Sequence, residues 1–175
     1  MPVTRLIALD DAAQLARLQT TNRDYLAPWS PIQDERYFTE EGQREVLERD
    51  LIAYARGGML PLAILSDGAV CGRINLNTIV RGAAQSASVG YWVSESHIGR
   101  GLATAAVADA IGIGFGELGL HRLEAATLLH NTPSQHVLAR NGFRPFAVYE
   151  KYLKIAGKWQ DHILFTLLNQ EQSAR

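Results

Sequence analysis

The chain has 175 residues, 47% of them hydrophobic, a formal net charge of −1 and a single cysteine. Those values suit one folded domain with a sizeable core. They exclude a disordered chain and give no general attraction to nucleic acid or anionic lipid. Cys71 has no second cysteine to pair with, no apolar stretch approaches membrane-spanning length, and no basic segment leads into an apolar run at the start. The expectation is a cytoplasmic protein with no membrane partner.

Residues 3–9 read as a first strand, and Asp10 or Asp11 can cap a helix running to about Leu18. Residues 20–31 (TTNRDYLAPWSP) form a short helix broken by Pro28 and Pro31, whose Tyr25, Leu26 and Trp29 must be buried or line a cleft. Thr39 is placed to cap the next helix, with Glu40 and Glu41 in its favourable first turn. That helix carries Leu47, Leu51 and Tyr54 on one face and stops at Gly57-Gly58. The period then changes to that of strands. Residues 60–65, a turn at Asp67-Gly68 and residues 69–77 make a hairpin, and Gly82 leads into a strand ending at Val93.

The stretch from Val89 to Leu118 organises the rest. Val89, Tyr91 and Val93 alternate as in a strand; residues 94–100 are polar and turn-like; from Gly101 the pattern is helical. Val107, Ile111, Phe115 and Leu118 share one helical face, beside a strip of Ala103, Ala106, Ala110 and Gly114 that lets the helix approach a sheet closely. Gly99-Arg100-Gly101 therefore sits at a helix mouth, where N–H groups lack partners and the dipole favours anions. Glycines let backbone come close to a ligand, Arg100 adds charge and Thr104 a hydroxyl. The arrangement points to a phosphate or pyrophosphate site, with a plain tight turn as the alternative.

Residues 114–119 (GFGELG) match the dinucleotide fingerprint G-x-G-x-x-G, but that fingerprint needs a strand before it and a helix after it. Here a helix precedes and the strand at residues 122–128 follows, so a Rossmann site is rejected; these glycines loosen the helix end or permit close packing. Asn131-Thr132-Pro133-Ser134 then opens a helix with Thr132 as its cap and Pro133 first inside it; Val137 and Leu138 anchor it and Asn141-Gly142 ends it. Residues 143–155 and 158–168 are two strands joined at Ala156-Gly157, with a polar tail from Asn169. The fold class is α+β: one domain with its core at residues 3–168 and a mixed, mainly antiparallel sheet flanked by helices.

Several segments now resemble one family in that family's order: NRDYLAPW (22–29), VGYWV (89–93), HIGRGLAT (97–104), LHRLEA (120–125), the Asn131-x-x-Ser134 pair, RNGF (140–143) and YLKIAGKWQDH (152–162). Together they are similar to the GNAT superfamily of N-acetyltransferases, in its RimJ/RimL ribosomal-protein branch. The resemblance implies acetyl-CoA as co-substrate and a sheet splayed where it binds. It implies that Gly99, Arg100, Gly101, Leu102, Ala103 and Thr104 receive the pyrophosphate, that Tyr91, Trp92 and Val93 pair with the pantetheine arm, and that Asn131 bonds the arm near the thiol. Ser96 and Ile98 depart from the loop's usual Gln or Arg and polar residue, without removing backbone donors.

Acetyl transfer needs a neutral amine, a polarised thioester carbonyl and a stabilised leaving thiolate. Ser134 is the family-matched donor to the sulfur; its bland alternative is a helix-start residue bonding local backbone. Glu124 and Asp161 are candidates for the base, Glu150 a weaker one, and each is equally at home on a surface. Tyr25, Trp29 and Trp159 could wall the acceptor cleft or simply be core. His130 and His136 are six apart, with no metal-binding motif around them, so no metal is expected. His97 stands beside the phosphate loop, and His121 and His162 read as local hydrogen-bonding residues.

The leading expectation is an N-acetyltransferase acting on a protein N-terminal α-amine of the ribosomal-protein-alanine type. The alternatives are acylation of a small-molecule amine, such as an antibiotic or toxin, and a non-catalytic CoA-binding module. The acceptor is selected by the loops around residues 22–38 and 150–160. No direct nucleic-acid partner is expected, and a homodimer is open to the chain.

Overall fold

The computed structural model describes residues 2–170. Strand β1 is Thr4–Leu6, shorter than its apolar run. A 3-10 turn at Leu9–Asp11 follows, then α1 (Ala12–Thr21) and α2 (Arg23–Leu26). Asp11 does not cap α1 with its side chain. Its carboxylate instead accepts the Ala8 N–H at 2.8 Å and both Arg5 guanidinium nitrogens at 2.8 and 2.7 Å, bracing the turn against β1. Burial pushes the Asp11 carboxyl up, but these hydrogen bonds and the charges of Arg5 and Arg73 outweigh it and hold the pKa below its ordinary value.

A second 3-10 turn, Ala27–Trp29, carries the proline-broken segment onward. Thr39 caps α3 (Glu40–Ala55) as expected, its Oγ1 accepting the Gly42 N–H at 3.0 Å. Leu47 is wholly buried, whereas Tyr54 turns outward at 41% exposure. The hairpin is β2 (Leu60–Ser66) and β3 (Ala69–Val80), followed by β4 (Ser86–Val93).

Helix α4 (Leu102–Gly112) runs into a π turn at Ile113–Glu117, closed by Leu118 N–H donating to the Ile113 carbonyl at 2.9 Å. A Cβ at Gly114 would lie 3.3 Å from Leu76 and 3.4 Å from Leu123, so this glycine serves close packing on the sheet, whereas Gly116 has nothing within 4 Å. Strand β5 is Arg122–Leu128, α5 is Thr132–Arg140, and the closing hairpin is β6 (Arg144–Ile155) and β7 (Lys158–Leu168). Asn131, one residue earlier than expected, caps α5, its Oδ1 accepting the Ser134 N–H at 3.2 Å. Asn169 is no loose tail. It is buried, with its N–H on the His121 carbonyl and its amide on the Leu120 carbonyl. The rest of the expected tail, residues 171–175, lies outside the described residues.

The sheet has seven strands in the order β1-β2-β3-β4-β5-β7-β6. Every neighbouring pair is antiparallel except β4 and β5. Those two pair only at Ser86–Arg122, Ala87–Leu123 and Ser88–Glu124, after which they part. One face holds α4 and α5 over Leu76, Val89, Leu123 and Phe165; on the other, Leu15 of α1 and Leu47 of α3 cluster with Ile7 and Ala63. Successive residues of a strand face opposite ways. Tyr91 accordingly packs with the first cluster and Trp92 with the second, just where the sheet opens.

Candidate active site

Past Ser88, β4 keeps β3 on one side, in register at Tyr91–Ile74, Trp92–Arg73 and Val93–Gly72, and has no strand on the other. Backbone N–H and C=O groups along that free edge can pair with an extended ligand as they would with a strand. The cavity here, about 540 Å³, is bounded by β4, the start of α4, α2 and α5.

At one end stands the glycine loop. Gly99 and Gly101 both adopt φ of +75°, a left-handed conformation suited to glycine, and nothing lies within 4 Å of where their Cβ atoms would be. The first backbone bond of α4 is Ala105 N–H to the Gly101 carbonyl at 2.9 Å. The N–H groups of Leu102, Ala103 and Thr104 therefore have no partner within the helix and mark a concave, open anion cradle. Arg100 is exposed on the loop between the two glycines.

A buried amide fixes this loop. Asn22, 2% exposed, accepts the Glu95 N–H at 2.7 Å and the Ser94 hydroxyl at 3.2 Å, while its Nδ2 donates to the Leu18 carbonyl at 2.8 Å. The hydroxyls continue outward, Ser94 Oγ to Ser96 Oγ at 3.1 Å and Ser96 Oγ to His97 Nδ1 at 2.9 Å, ending at a histidine on the cavity wall. Asn22 opens the family-like segment NRDYLAPW, and the fold makes it the tie between α1 and the loop.

Near the parting of the strands, the Tyr91 hydroxyl lies 2.8 Å from Ser134 Oγ and donates to the Ser134 carbonyl at 3.1 Å. Burial pushes the Tyr91 phenol up to about 12, the Ser134 hydrogen bond pulling slightly the other way. The phenol therefore remains a hydrogen-bond donor at any ordinary pH. Asn131 lines the same cavity with its Oδ1 engaged in capping, which leaves its Nδ2 group to donate. His136, Val137 and Arg140 complete the α5 wall. Their spacing of three, four and seven from Pro133 puts them on one helical face, a signal present in the sequence that motif reading passed over.

The structure thus brings together Tyr91, Trp92, Val93, Gly99, Gly101, Leu102, Ala103, Thr104, Asn131, Ser134, Tyr25 and Trp29. The Trp29 ring lies 5.5 Å from that of His130. Four candidates stand apart from the lining of this cavity, the first being Arg100, which is exposed between the two lining glycines. Glu124 occupies the last paired rung, its Oε1 4.0 Å from Arg122 Nη1. Asp161 accepts the Lys151 N–H at 2.8 Å, holding the irregular stretch of β6 where Lys151 has φ of +47°. Trp159 is 61% exposed on β7. His162 is buried against the Gln160 carbonyl and the Tyr152 ring, a local role.

A glycine turn at a helix mouth, an unpaired strand edge and a hydroxyl pair thus meet at one cavity. Residues 3–144 match the family described as the acetyltransferase (GNAT) domain. A probable N-acetyltransferase, YjcK, of Bacillus subtilis is 36% identical, covering 95% of this chain and 93% of its own. The [ribosomal protein uS5]-alanine N-acetyltransferase of Escherichia coli is 30% identical over 94% of this chain and 86% of its own. Mycobacterium smegmatis RimJ, solved in complex with CoA-disulfide, superposes with a TM-score of 0.93 at 34% identity, over 96% of this chain and 82% of that one. The chain belongs to the GNAT acetyltransferase family and is an N-acetyltransferase of the RimJ/RimL type.

Proposed function

We propose that this enzyme transfers the acetyl group of acetyl-CoA to the N-terminal α-amine of a protein, of the ribosomal-protein-alanine kind. The observation that carries the reading is the single cavity that joins the glycine cradle to the Tyr91–Ser134 hydroxyl pair. The alanine N-acetyltransferase relative and the CoA-bound neighbour support the choice of acceptor and donor.

The residues present fit acetyl-CoA. Gly99 and Gly101 leave open exactly the space a side chain would fill, and the first N–H groups of α4 are free for phosphate oxygens. Bound there, acetyl-CoA supplies an activated acyl thioester. The free edge of β4 at Tyr91–Val93 receives the amide groups of its pantetheine arm, and an N–H near Trp92 or Val93 polarises the thioester carbonyl. Ser134 Oγ–H donates toward the departing sulfur. Tyr91, protonated throughout the working pH range, has one proton to give; when it goes to Ser134 Oγ rather than to the Ser134 carbonyl, the serine's own proton is left to turn to the sulfur. Asn131 Nδ2 steadies the arm beside it.

A free α-amine has a pKa near 7.7–8.0, so a useful share is already neutral near pH 7.5, and water suffices to take the proton lost on acylation. This reading needs neither Asp161, held by the Lys151 N–H, nor Glu124, paired with Arg122. Tyr25 and Trp29 wall the acceptor side. The test is incubation with acetyl-CoA and a panel of unblocked peptides and small amines, read by intact mass. The expected product is a single acetyl gain on peptides with small first residues; gain only on small amines contradicts the assignment.

A further inference from the structure

The hydrogen-bond chain that runs from Asn22 to the cavity wall has a direction, because its protons can be counted. Backbone fixes the Asn22 amide at both ends: Nδ2 donates to the Leu18 carbonyl at 2.8 Å, and Oδ1 accepts the Glu95 N–H at 2.7 Å. Oδ1 has no proton to give, so the Ser94 hydroxyl donates to it at 3.2 Å. That spends the one proton of Ser94. The 3.1 Å contact between the serines is then made by the Ser96 hydroxyl donating back to Ser94. Ser96 is spent in turn, and His97 Nδ1, 2.9 Å from its Oγ, is left as the donor. The chain therefore puts the His97 proton on Nδ1 and leaves Nε2 bare.

The ring is held for this role. The His97 N–H donates to the Ser94 carbonyl at 2.9 Å, and the Ser94 N–H to the Cys71 carbonyl at 2.8 Å. His97 lines the same cavity as Gly99, Gly101 and Leu102, and its Nε2 makes no hydrogen bond to a described residue. Tyr25 of α2 and His136 and Arg140 of α5 are the other titratable or charged groups in the lining; no carboxylate is among them. Glu95, on the same turn as His97, is exposed and outside the lining, as is Arg100. Within the cavity an imidazolium would have only an anionic ligand to pair with. The Nδ1–H donates to Ser96 in both charge states, so a proton can arrive on Nε2 without breaking any bond of the chain.

We infer that His97 is a proton-linked ligand for the diphosphate of acetyl-CoA: Nε2 takes a proton from solvent as acetyl-CoA binds, and the new N–H donates to a phosphate oxygen beside the glycine turn. The inference rests on the acetyl-CoA reading above. A bare nitrogen lone pair repels a phosphate oxygen, whereas a charged N–H makes one of the stronger hydrogen bonds to it. Binding that takes up a proton strengthens as pH falls and weakens as pH rises.

The first measurement uses the free enzyme. With nitrogen-15 histidine, a long-range proton–nitrogen correlation spectrum at pH 8.5, assigned against His97→Gln, should show His97 protonated on Nδ1 and bare on Nε2. Ser96→Ala removes the acceptor and should let the proton move to Nε2. The second measurement is calorimetry of acetyl-CoA binding in HEPES and in Tris, buffers of different ionisation enthalpy, at pH 7.5. Binding should take up a measurable fraction of a proton, and affinity should fall about three- to tenfold from pH 6 to pH 8.5. The phosphate monoester of acetyl-CoA titrates in the same range, so both quantities are read against His97→Gln. That variant should bind more weakly than the unmodified enzyme at pH 6 and equally at pH 8.5, while His136→Gln should keep the uptake. A proton on Nε2 alone in the free enzyme at pH 8.5, or undiminished uptake in His97→Gln, overturns the inference and leaves acetyl-CoA binding standing. Absence of acetyl-CoA binding at every pH overturns the donor reading and the inference with it.

Discussion

In the proposed reaction, the two ends of this cavity are built from different materials. The donor end is made of backbone: two left-handed glycines, the first turn of α4 and the unpaired edge of β4. The acceptor end is made of side chains, with Tyr25, Leu26 and Trp29 on a proline-broken segment facing Trp92 from the sheet. Backbone geometry binds what every acetyl-CoA presents. Side chains can change without disturbing it, so selection of the amine belongs to the second set.

If that division holds, the largest effect should come from spoiling the backbone. Gly101→Val forces a β-branched residue into φ of +75° at the mouth of the cradle. Strain of this kind costs on the order of 1–3 kcal/mol, and the added carbons obstruct the phosphates, so acetyl-CoA affinity by calorimetry should fall about 10- to 100-fold in a variant whose circular dichroism is unchanged. Unchanged affinity would remove the loop from the site.

The hydroxyl pair, placed between the two ends, should affect turnover rather than affinity. General acid–base groups contribute on the order of 10²–10⁴ in rate, and a serine hydroxyl, being a weak acid, belongs at or below the low end. Ser134→Ala should therefore lower kcat about tenfold or somewhat more while acetyl-CoA binds as before; full turnover by thiol release removes Ser134 from the chemistry. Tyr91 adds a pH signature. Its pKa near 12 in the folded protein exceeds the unfolded value near 10, so its contribution to stability is complete below pH 10 and lost as pH rises through 12. Activity should show no limb from this phenol below pH 10, and Tyr91→Phe should make the alkaline decline in stability shallower. An equal decline in both proteins contradicts the buried, protonated phenol.

Smaller effects belong to the periphery. Trp29→Ala removes a wall ring stacked near His130 and should raise peptide KM several-fold, on the scale of losing part of a buried apolar contact, with acetyl-CoA affinity untouched. Arg100→Ala removes an exposed charge and should weaken acetyl-CoA binding only about two- to threefold, an effect that fades with added salt. A peptide KM that stays constant in Trp29→Ala, or a salt-independent loss in Arg100→Ala, breaks the corresponding half of the comparison.

The same division explains how much could be read before folding. Backbone devices leave marks in sequence, because only certain residues permit them: Gly99 and Gly101 at a helix mouth, Asp67-Gly68 in a hairpin, Thr39 before two glutamates. The sheet, its hairpins and the glycine turn at the mouth of α4 were legible for that reason. Helix starts were legible to within a residue, Asn131 rather than Thr132 being the cap, since either side chain can accept from the third residue on. Side-chain constellations leave no local mark. Asp161, a candidate base in the sequence, is drawn to the Lys151 N–H across an irregularity in β6. Asn22, given no role in the sequence, is 2% exposed and ties α1 to the loop. Trp159 sits in a segment that resembles the family yet points to solvent, while Ala156, a few residues away, meets Ser30. Such pairings depend on which distant strands become neighbours, and no periodicity encodes that.

The most direct test of the central claim puts both kinds of amine on one molecule. A peptide with an unblocked N-terminal alanine and an internal lysine, mixed with acetyl-CoA and the enzyme at pH 7.5, is compared with its N-terminally formylated twin. Tandem mass spectrometry then locates the acetyl group. A lysine amine with pKa near 10.4 is about a hundredfold scarcer in neutral form than the α-amine. The prediction is acetyl on the first residue of the free peptide and none on the blocked twin. Acetyl-lysine in both peptides at similar rates would contradict it.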